Sequence, residues 1–191
     1  MTTLFPSSYS LISFLVLIFF FFFCGGMPTS ISSFHLELSS SYISGICDRT
    51  VDRSFCLRFM NSTAGIRAAN FIGAGKITLT VSDQKARETQ KYIRALVLGR
   101  KTTDPKVKQS YKTCLEKYGD AIRSISVAKD SFVTGDYDTG FTSTTVAQRD
   151  ADACNHEVTA GPARGGVLGE RNKYLSNLLD IVLVILNLVG G

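Results

Sequence analysis

Apolar and small residues recur at helical spacing in the middle of the chain. The first stripe follows a 3-4-3-4 pattern from residue 72 to residue 96: Ile72, Gly75, Leu79, Ser82, Ala86, Thr89, Ile93 and Leu96. This spacing puts these positions on one face of an amphipathic α-helix. The small members predict that a neighbouring helix approaches closely. Gly73, Gly75 and the β-branched residues after them lower the helix propensity of the first half of the segment.

The second stripe is bounded by clearer signals. Asp104 precedes Pro105, which places a capping carboxylate before a proline suited to the first helical turn. The predicted helix ends near Gly135. Between these limits the apolar positions recur at regular 4-3 spacing: Val107, Tyr111, Cys114, Tyr118, Ala121, Ile125, Ala128 and Phe132.

A third helix is predicted over about residues 138–157 and carries Cys154. Gly161-Pro162 and Gly165-Gly166 then form a loop before a last helix. No alternating strand pattern of useful length competes with these assignments. Four amphipathic helices with short connections predict an all-α, up-and-down four-helix bundle.

The C-terminal segment, residues 174–189, is apolar enough to raise the alternatives of a membrane tail or a lipid-anchor signal. Three polar residues interrupt it: Asn177, Asp180 and Asn187. Its main apolar residues are three or four apart, namely Leu175, Leu178, Val182, Ile185 and Val189. This pattern favours a helix buried in the core of the bundle.

The N-terminal segment has the features of a secretory signal peptide. No charged side chain precedes Glu37, and residues 11–24 form an apolar run broken only by Ser13. The run has the length of a signal-peptide core and is shorter than a membrane-spanning helix. Small residues after it predict a signal peptide over residues 1–26, with cleavage up to Ser33 as the outer limit. An uncleaved membrane anchor is the alternative.

Composition narrows the class of protein. A chain of 191 residues has the length of one domain. Hydrophobic residues make up 45% of it and charged residues 19%, and this composition excludes a disordered acidic tail or a collagen-like chain. The net charge of +5 is basic without the dense blocks of a nucleic-acid-binding arm. Cleavage would leave four cysteines in an oxidising compartment: Cys47, Cys56, Cys114 and Cys154. Two disulfides are expected, and the cysteines alone leave three pairings open.

The motifs of common enzymes are missing from the sequence. It contains neither Gly-x-Ser-x-Gly nor a P-loop, and two histidines argue against a multi-histidine metal site. The acid pairs Asp136/Asp138 and Asp150/Asp152 suit solvated or capping roles, and His156 near Cys154 suits a surface position. We therefore predict a non-enzyme without a metal or cofactor. Asn61-Ser62-Thr63 is an N-glycosylation sequon.

The four cysteines lie at distinctive spacings within recognisable local motifs. Eight residues separate Cys47 from Cys56, and 39 separate Cys114 from Cys154. The surrounding motifs are Ile46-Cys47-Asp48-Arg49-Thr50, Phe55-Cys56-Leu57, Thr103-Asp104-Pro105 with Tyr111 and Tyr118, Gly135-Asp136-Tyr137 and the apolar residues 180–185. Together they resemble the plant invertase inhibitor and pectin methylesterase inhibitor family over about residues 40–189. We take that range as the inhibitor domain.

The resemblance implies a four-helix bundle preceded by a short helical hairpin. It also implies that Cys47 pairs with Cys56 inside the hairpin. Cys114 would pair with Cys154 between two bundle helices.

Members of this family bind either pectin methylesterase, covering its pectin-binding cleft, or acid invertase, occupying its active site. In the invertase inhibitors a Pro-Lys-Phe triplet follows the Gly-Asp pair, whereas here the triplet is Tyr137-Asp138-Thr139. Because this triplet offers no lysine, the resemblance favours a secreted, stoichiometric inhibitor of pectin methylesterase.

The resemblance also implies a contact surface near the third and fourth cysteines. In pectin methylesterase inhibitors, acidic residues on the helix carrying the third cysteine face the enzyme, and Glu116 and Asp120 fit this pattern. Lys117 and Arg123 add positive charge to the same stretch.

Two departures lie beside the fourth cysteine. Ala153 stands where a threonine is common, and His156 stands where an acid is common. The candidate partner-binding residues are therefore Glu116, Lys117, Asp120, Arg123, Ala153 and His156.

Two alternative functions remain at this point. One is inhibition of acid invertase. The other is a non-inhibitory, basic cell-wall protein whose Lys and Arg residues bind demethylated pectin in a salt-dependent way. All three hypotheses predict a protein of the extracellular space, in the apoplast or cell wall.

Overall fold

The computed structural model describes residues 39–99, 104–160 and 166–190, and within these ranges the chain is helical with no β-strand. The predicted signal peptide and the Gly161-Pro162 loop lie outside the described residues. The helices, in chain order, are α1 (Ser40–Cys47), α2 (Arg53–Ser62), α3 (Phe71–Leu98), α4 (Pro105–Thr134), α5 (Tyr137–Ala160) and α6 (Gly166–Gly190).

Local capping residues explain where these helices begin and end. The Asp104 carboxylate accepts a hydrogen bond from the Lys106 amide at 2.8 Å, and Pro105 opens α4 as predicted. Gly135 ends α4 in the left-handed conformation, with φ of 77°. The sequence analysis did not identify Asn70 as the cap of α3, although its side chain accepts from the Gly73 amide at 2.8 Å. This cap starts the helix despite the weak propensity of its first half.

Helices α3 to α6 form the four-helix bundle. Each packs against the next along the chain, and α6 closes the ring by packing against α3. The short hairpin of α1 and α2 precedes the bundle and packs against α6. The predicted all-α, up-and-down bundle with its N-terminal hairpin is confirmed.

The predicted stripes line the core. Most members of the α3 and α4 stripes are buried, whereas four members toward the helix ends are half-buried: Ile72, Leu96, Val107 and Tyr111. Gly75 allows the close approach that its size predicted, because the Phe132 ring of α4 and the Ile185 side chain of α6 lie against its Cα.

Helix α6 is long and apolar enough to cross a membrane by length and composition. In the bundle it contributes the largest group of buried apolar side chains of any helix: Leu168, Leu175, Leu178, Leu179, Ile181, Val182, Ile185 and Leu186. The predicted stripe thus faces the core, except that Val189 is half-buried.

Two disulfides lie within the described ranges. Cys47 bonds to Cys56 within the hairpin, and Cys114 bonds to Cys154 between α4 and α5, with Cα–Cα distances of 5.4 and 4.7 Å. These are the pairs that the family resemblance implies. By the chain-entropy estimate, closing the two loops stabilises the fold by about 2.7 and 4 kcal/mol. For a bundle of this size, that is a large share of the net stability.

A buried polar pair lies beside the second disulfide. The Tyr118 hydroxyl donates to Oδ1 of Asn172 at 2.8 Å, and Nδ2 of Asn172 lies 3.5 Å from Sγ of Cys154. Burial raises the pKa of Tyr118, so its hydroxyl keeps the proton that it donates. The pair links α4, α5 and α6 without leaving these polar atoms unsatisfied.

Two of the three polar residues that interrupt the apolar α6 segment, Asn177 and Asp180, bond to the hairpin segment. The Val51 amide donates to Oδ2 of Asp180 at 2.7 Å, and Nδ2 of Asn177 donates to Oδ2 of Asp52 at 3.4 Å. An edge-to-face contact between Phe55 and Tyr174, 5.0 Å between ring centroids, continues this attachment.

We predict opposite stability effects of alanine at two α-helical glycines. A Cβ at Gly75 would lie 2.6 Å from the buried Phe132 ring, so Gly75→Ala should lose about 1–3 kcal/mol of unfolding free energy. A Cβ at Gly119 meets only the flexible ends of Gln90 and Arg123 at 3.6 and 3.7 Å. Gly119→Ala should therefore gain up to about 1 kcal/mol from helix propensity. Denaturant unfolding measures both, and equal effects would contradict the packing at Gly75.

We also predict how the cap of α2 affects stability in acid. Hydrogen bonds from the Phe55 amide and the Ser54 hydroxyl lower the pKa of Asp52 below its ordinary 3.8. Its stabilising contribution is therefore present above pH 3.8 and is lost as the pH falls through the lowered value. Asp52→Asn keeps a good cap but does not titrate. The free energy of unfolding, measured at several pH values between about 5 and 2, should decrease less steeply with falling pH for this variant than for the wild type. Equal slopes for the two proteins would refute the role of Asp52.

Candidate functional site

The Cys114–Cys154 disulfide brings the predicted contact residues of two helices to one surface. Lys117, about one turn after Cys114 on α4, bonds to Asp150, about one turn before Cys154 on α5. The two helices therefore run antiparallel here. By chain geometry, the Cα atoms of Glu116 and Ala153 lie within about 15 Å of each other. We call the surface formed by the six candidate residues the α4–α5 face: Glu116, Lys117, Asp120, Arg123, Ala153 and His156.

Most of this face is open to a partner. Glu116, Arg123, Ala153 and His156 are exposed, and Asp120 is half-buried one helical turn after Glu116. Ala153 presents a methyl group beside the buried Cys154. The α4–α5 face therefore combines carboxylates, cations and a small apolar side chain on two rigid helices.

Lys117 forms an ion pair with an acidic residue of the neighbouring helix. Its ammonium lies 3.2 Å from Oδ1 of Asp150, whose side chain is only 10% exposed. Asp150 was expected in a solvated or capping role, and that expectation is wrong because the residue faces α4 rather than water. No local sequence pattern indicates this pair, since 33 residues separate its members.

Arg123 also forms an ion pair, but on the solvent-exposed surface. Its guanidinium forms an ion pair with the Asp120 carboxylate one turn away on α4. Among the candidate carboxylates in the described part of the chain, Glu116 is the one that forms no ion pair. It is thus the uncompensated negative charge of the α4–α5 face.

The Tyr137-Asp138-Thr139 triplet forms the first turn of α5. Tyr137 is half-buried and packs edge-to-face on Phe132, with 5.9 Å between ring centroids. Asp136 caps the turn by accepting from the Thr139 amide at 3.1 Å. Hydrogen bonds from the Thr139 hydroxyl and amide lower the pKa of Asp136. The triplet is therefore held in helical structure, with Asp138 and Thr139 exposed.

Asn61 of the glycosylation sequon lies on α2 and is exposed. Its Nδ2 donates to the Leu57 carbonyl at 2.8 Å. Its glycosylation stays a prediction.

A groove that the sequence analysis missed lies between α3 and α6. It has a volume of about 410 Å³ and is lined by Lys85, Glu88, Thr89, Val167, Glu170, Arg171 and Tyr174. The Arg171 guanidinium lies over the Tyr92 ring, 4.9 Å from its centroid. In the described ranges, no three residues of the His, Cys, Asp and Glu types cluster as metal ligands would.

These features define a class: a small helical bundle, clamped by two disulfides, with an open polar face on one helix pair. The family described as plant invertase/pectin methylesterase inhibitor matches residues 41–185. The chain belongs to this family of enzyme inhibitors.

Relatives and solved structures agree with this membership. The chain is 33% identical over 156 residues to a pectinesterase inhibitor of Actinidia deliciosa, covering 82% of this chain and 83% of the relative. It is 30% identical over 152 residues to pectinesterase inhibitor 1 of Arabidopsis thaliana, covering 80% and 84%. A crystal structure of a mutant form of a pectin methylesterase inhibitor from Arabidopsis superposes with a TM-score of 0.70 at 30% identity, covering 76% of this chain and 95% of that one.

The two ion pairs of the α4–α5 face should differ in their effect on stability. Lys117→Met leaves the nearly buried Asp150 carboxylate without its cation, which should cost about 1–3 kcal/mol of unfolding free energy. Arg123→Met removes the exposed pair and should change stability by less than about 1 kcal/mol. Denaturant unfolding near neutral pH compares them, and equal losses would contradict a structural role specific to Lys117.

Proposed function

We propose that this protein is a secreted inhibitor of pectin methylesterase that acts by binding alone. One copy binds one enzyme molecule through the α4–α5 face and covers the pectin-binding cleft. The observation that carries this proposal is the likeness along almost the whole described chain to proteins named pectinesterase inhibitors. The chain itself catalyses no reaction.

The disulfide supports the choice of the α4–α5 face. It joins the two helices in the middle of the candidate contact residues, so the surface is rigid before an enzyme binds. A surface that is already ordered loses less conformational entropy on binding than a flexible loop does.

The charges of the face also suit this role. Lys117 and Arg123 depart from the acidic pattern of the inhibitors. Asp150 compensates the charge of Lys117, and Asp120 compensates the charge of Arg123. Glu116 then remains as the charge available to a cationic group on the enzyme. Complementary charges at an interface raise the rate of association and its specificity.

Pectin methylesterase is favoured over acid invertase as the target. Residues 137–139 contain no lysine, and the Tyr137 ring packs on Phe132 instead of extending into solvent. The relatives quoted above are named for pectinesterase.

Secretion into the apoplast is part of the proposal. Residues 1–26 have the composition of a signal peptide, and two disulfides suit an oxidising compartment. The inhibitor domain occupies residues 40–189 of the secreted chain, and the sequon at Asn61 is on its exposed surface.

Titration of the oxidised mature protein against plant pectin methylesterase and acid invertase, at mildly acidic pH, tests the function. We expect esterase activity to fall linearly to a one-to-one end point while invertase activity is unchanged. Inhibition of invertase alone would establish the alternative target, and a folded protein that inhibits neither enzyme would refute the proposal.

Charge-removing variants test the face in the same assay. Glu116→Gln should weaken inhibition by roughly threefold to tenfold, because it removes the uncompensated carboxylate. Asp130→Asn, an equal charge change at an exposed position further along α4, is the matched control and should stay within about twofold of the wild type. Equal effects of the two variants would show that net charge, and not Glu116, controls binding.

A further inference from the structure

The positive charge of the chain is concentrated in one stretch. Residues 84–115 contain nine of the 21 Lys and Arg residues and two of the 16 Asp and Glu residues, a net charge of +7. The rest of the chain therefore has a net charge of −2, since the whole chain carries +5. The described residues of this stretch form the C-terminal half of α3 and the N-terminal part of α4.

Four of these cations lie toward the C-terminal end of α3 and the N-terminal end of α4. Lys91 and Arg94 are one turn apart on α3, and Lys108 and Lys112 are one turn apart on α4. We call these four residues the basic ridge.

The contacts between α3 and α4 set the register of the ridge. The helices run antiparallel, because Lys129 lies 3.8 Å from Asp83 while Gln90 lies beside Gly119. In this register, Arg94 and Lys112 are offset by about 5 Å along the helix axes. The ridge therefore brings cations of both helices to neighbouring levels of the bundle.

The ridge cations have no acidic partner in the part of the chain that the structure describes. None of the four forms an ion pair there, and Lys91, Arg94 and Lys112 are exposed while Lys108 is half-buried.

The two acids of the same stretch are already engaged. Glu88 accepts hydrogen bonds from Gln84 and Lys85, each at 2.9 Å, and these lower its pKa. Asp104 caps α4 through the Lys106 amide. Neither acid of the stretch therefore cancels the positive potential of the ridge, and the acid nearest to the ridge in sequence outside the stretch is Glu116, one helical turn after Lys112.

We propose that the basic ridge binds a polyuronate, namely demethylated pectin. This polymer carries one carboxylate on each unesterified sugar unit, so a row of cations can neutralise several carboxylates and release their counterions. Hydrolysis of a pectin methyl ester with water gives this carboxylate, a proton and methanol. The choice of pectin rests on the proposed cell-wall location, whereas the ridge itself does not depend on inhibition.

Other polyanions fit the ridge less well. Nucleobases stack on exposed aromatic rings, and Tyr92 and Tyr111, the two aromatic residues of the stretch, are half-buried.

The ridge lies on the α3 side of α4, whereas Lys117 on the α4–α5 face reaches α5. The two surfaces adjoin on α4, where Lys112 of the ridge precedes Glu116 of the α4–α5 face by one helical turn.

Binding of the full mature protein to polygalacturonate at several salt concentrations tests this proposal. The ridge variant Lys91→Gln/Arg94→Gln/Lys108→Gln, which leaves Lys112 beside Glu116 unchanged, should bind at least roughly tenfold more weakly than the wild type at low salt. The matched control is Arg58→Gln/Arg67→Gln/Lys76→Gln, which removes three exposed cations outside the ridge and changes the net charge equally. It should stay within about threefold of the wild type.

Helical circular dichroism verifies that both variants fold, and both should still inhibit the esterase as the wild type does. This readout separates failure of the ridge from failure of the inhibitor function. Equal weakening by the two triple variants would overturn the proposal, as would wild-type binding to fully methyl-esterified pectin that is as tight as binding to polygalacturonate. Binding to anionic lipid vesicles without binding to polygalacturonate would also overturn it.

Discussion

The covalent bond between Cys114 and Cys154 is the constraint on which the arrangement of α4 and α5 depends. It holds the Cα atoms of these residues 4.7 Å apart and fixes the antiparallel register of the two helices. In that register Lys117 meets Asp150, and the buried Tyr118–Asn172 pair lies against the disulfide sulfur. The surface beside the bond is consequently rigid. The proposed inhibitor needs such a surface because it acts through shape and charge and contributes no chemistry of its own.

The charges of the molecule are separated by the way the helices pack. Around the disulfide, the extra cations are paired with acids of the bundle, which leaves Glu116 uncompensated. On the α3 side of α4, the acids are engaged in a cap and in local hydrogen bonds, which leaves the basic ridge uncompensated. Helix α4 thus contributes to both surfaces, with Lys112 of the ridge one helical turn before Glu116. The net charge of +5 alone does not reveal this separation.

The bundle was predictable from sequence because its information is local. Stripes at helical spacing, the Asp104-Pro105 start and the Gly135 end each lie within a few neighbouring residues, and the structure confirms them. The hydrogen bond of Val51 to Asp180 was not predictable, since its partners are 129 residues apart and Asp180 resembles an interruption of an apolar helix. The burial of Asp150 and the position of Arg171 over Tyr92 were missed for the same reason. The candidate contact residues came from the family resemblance, and the pairing of Lys117 with Asp150 became visible only once the helices were packed.

A structure of the one-to-one complex with pectin methylesterase is the decisive measurement for the proposed inhibition. We expect the α4–α5 face to cover the pectin-binding cleft, Glu116 to lie at the interface and the basic ridge to remain open to solvent. An enzyme seated on the α3–α6 groove or on the hairpin, with Glu116 exposed in the complex, would contradict it.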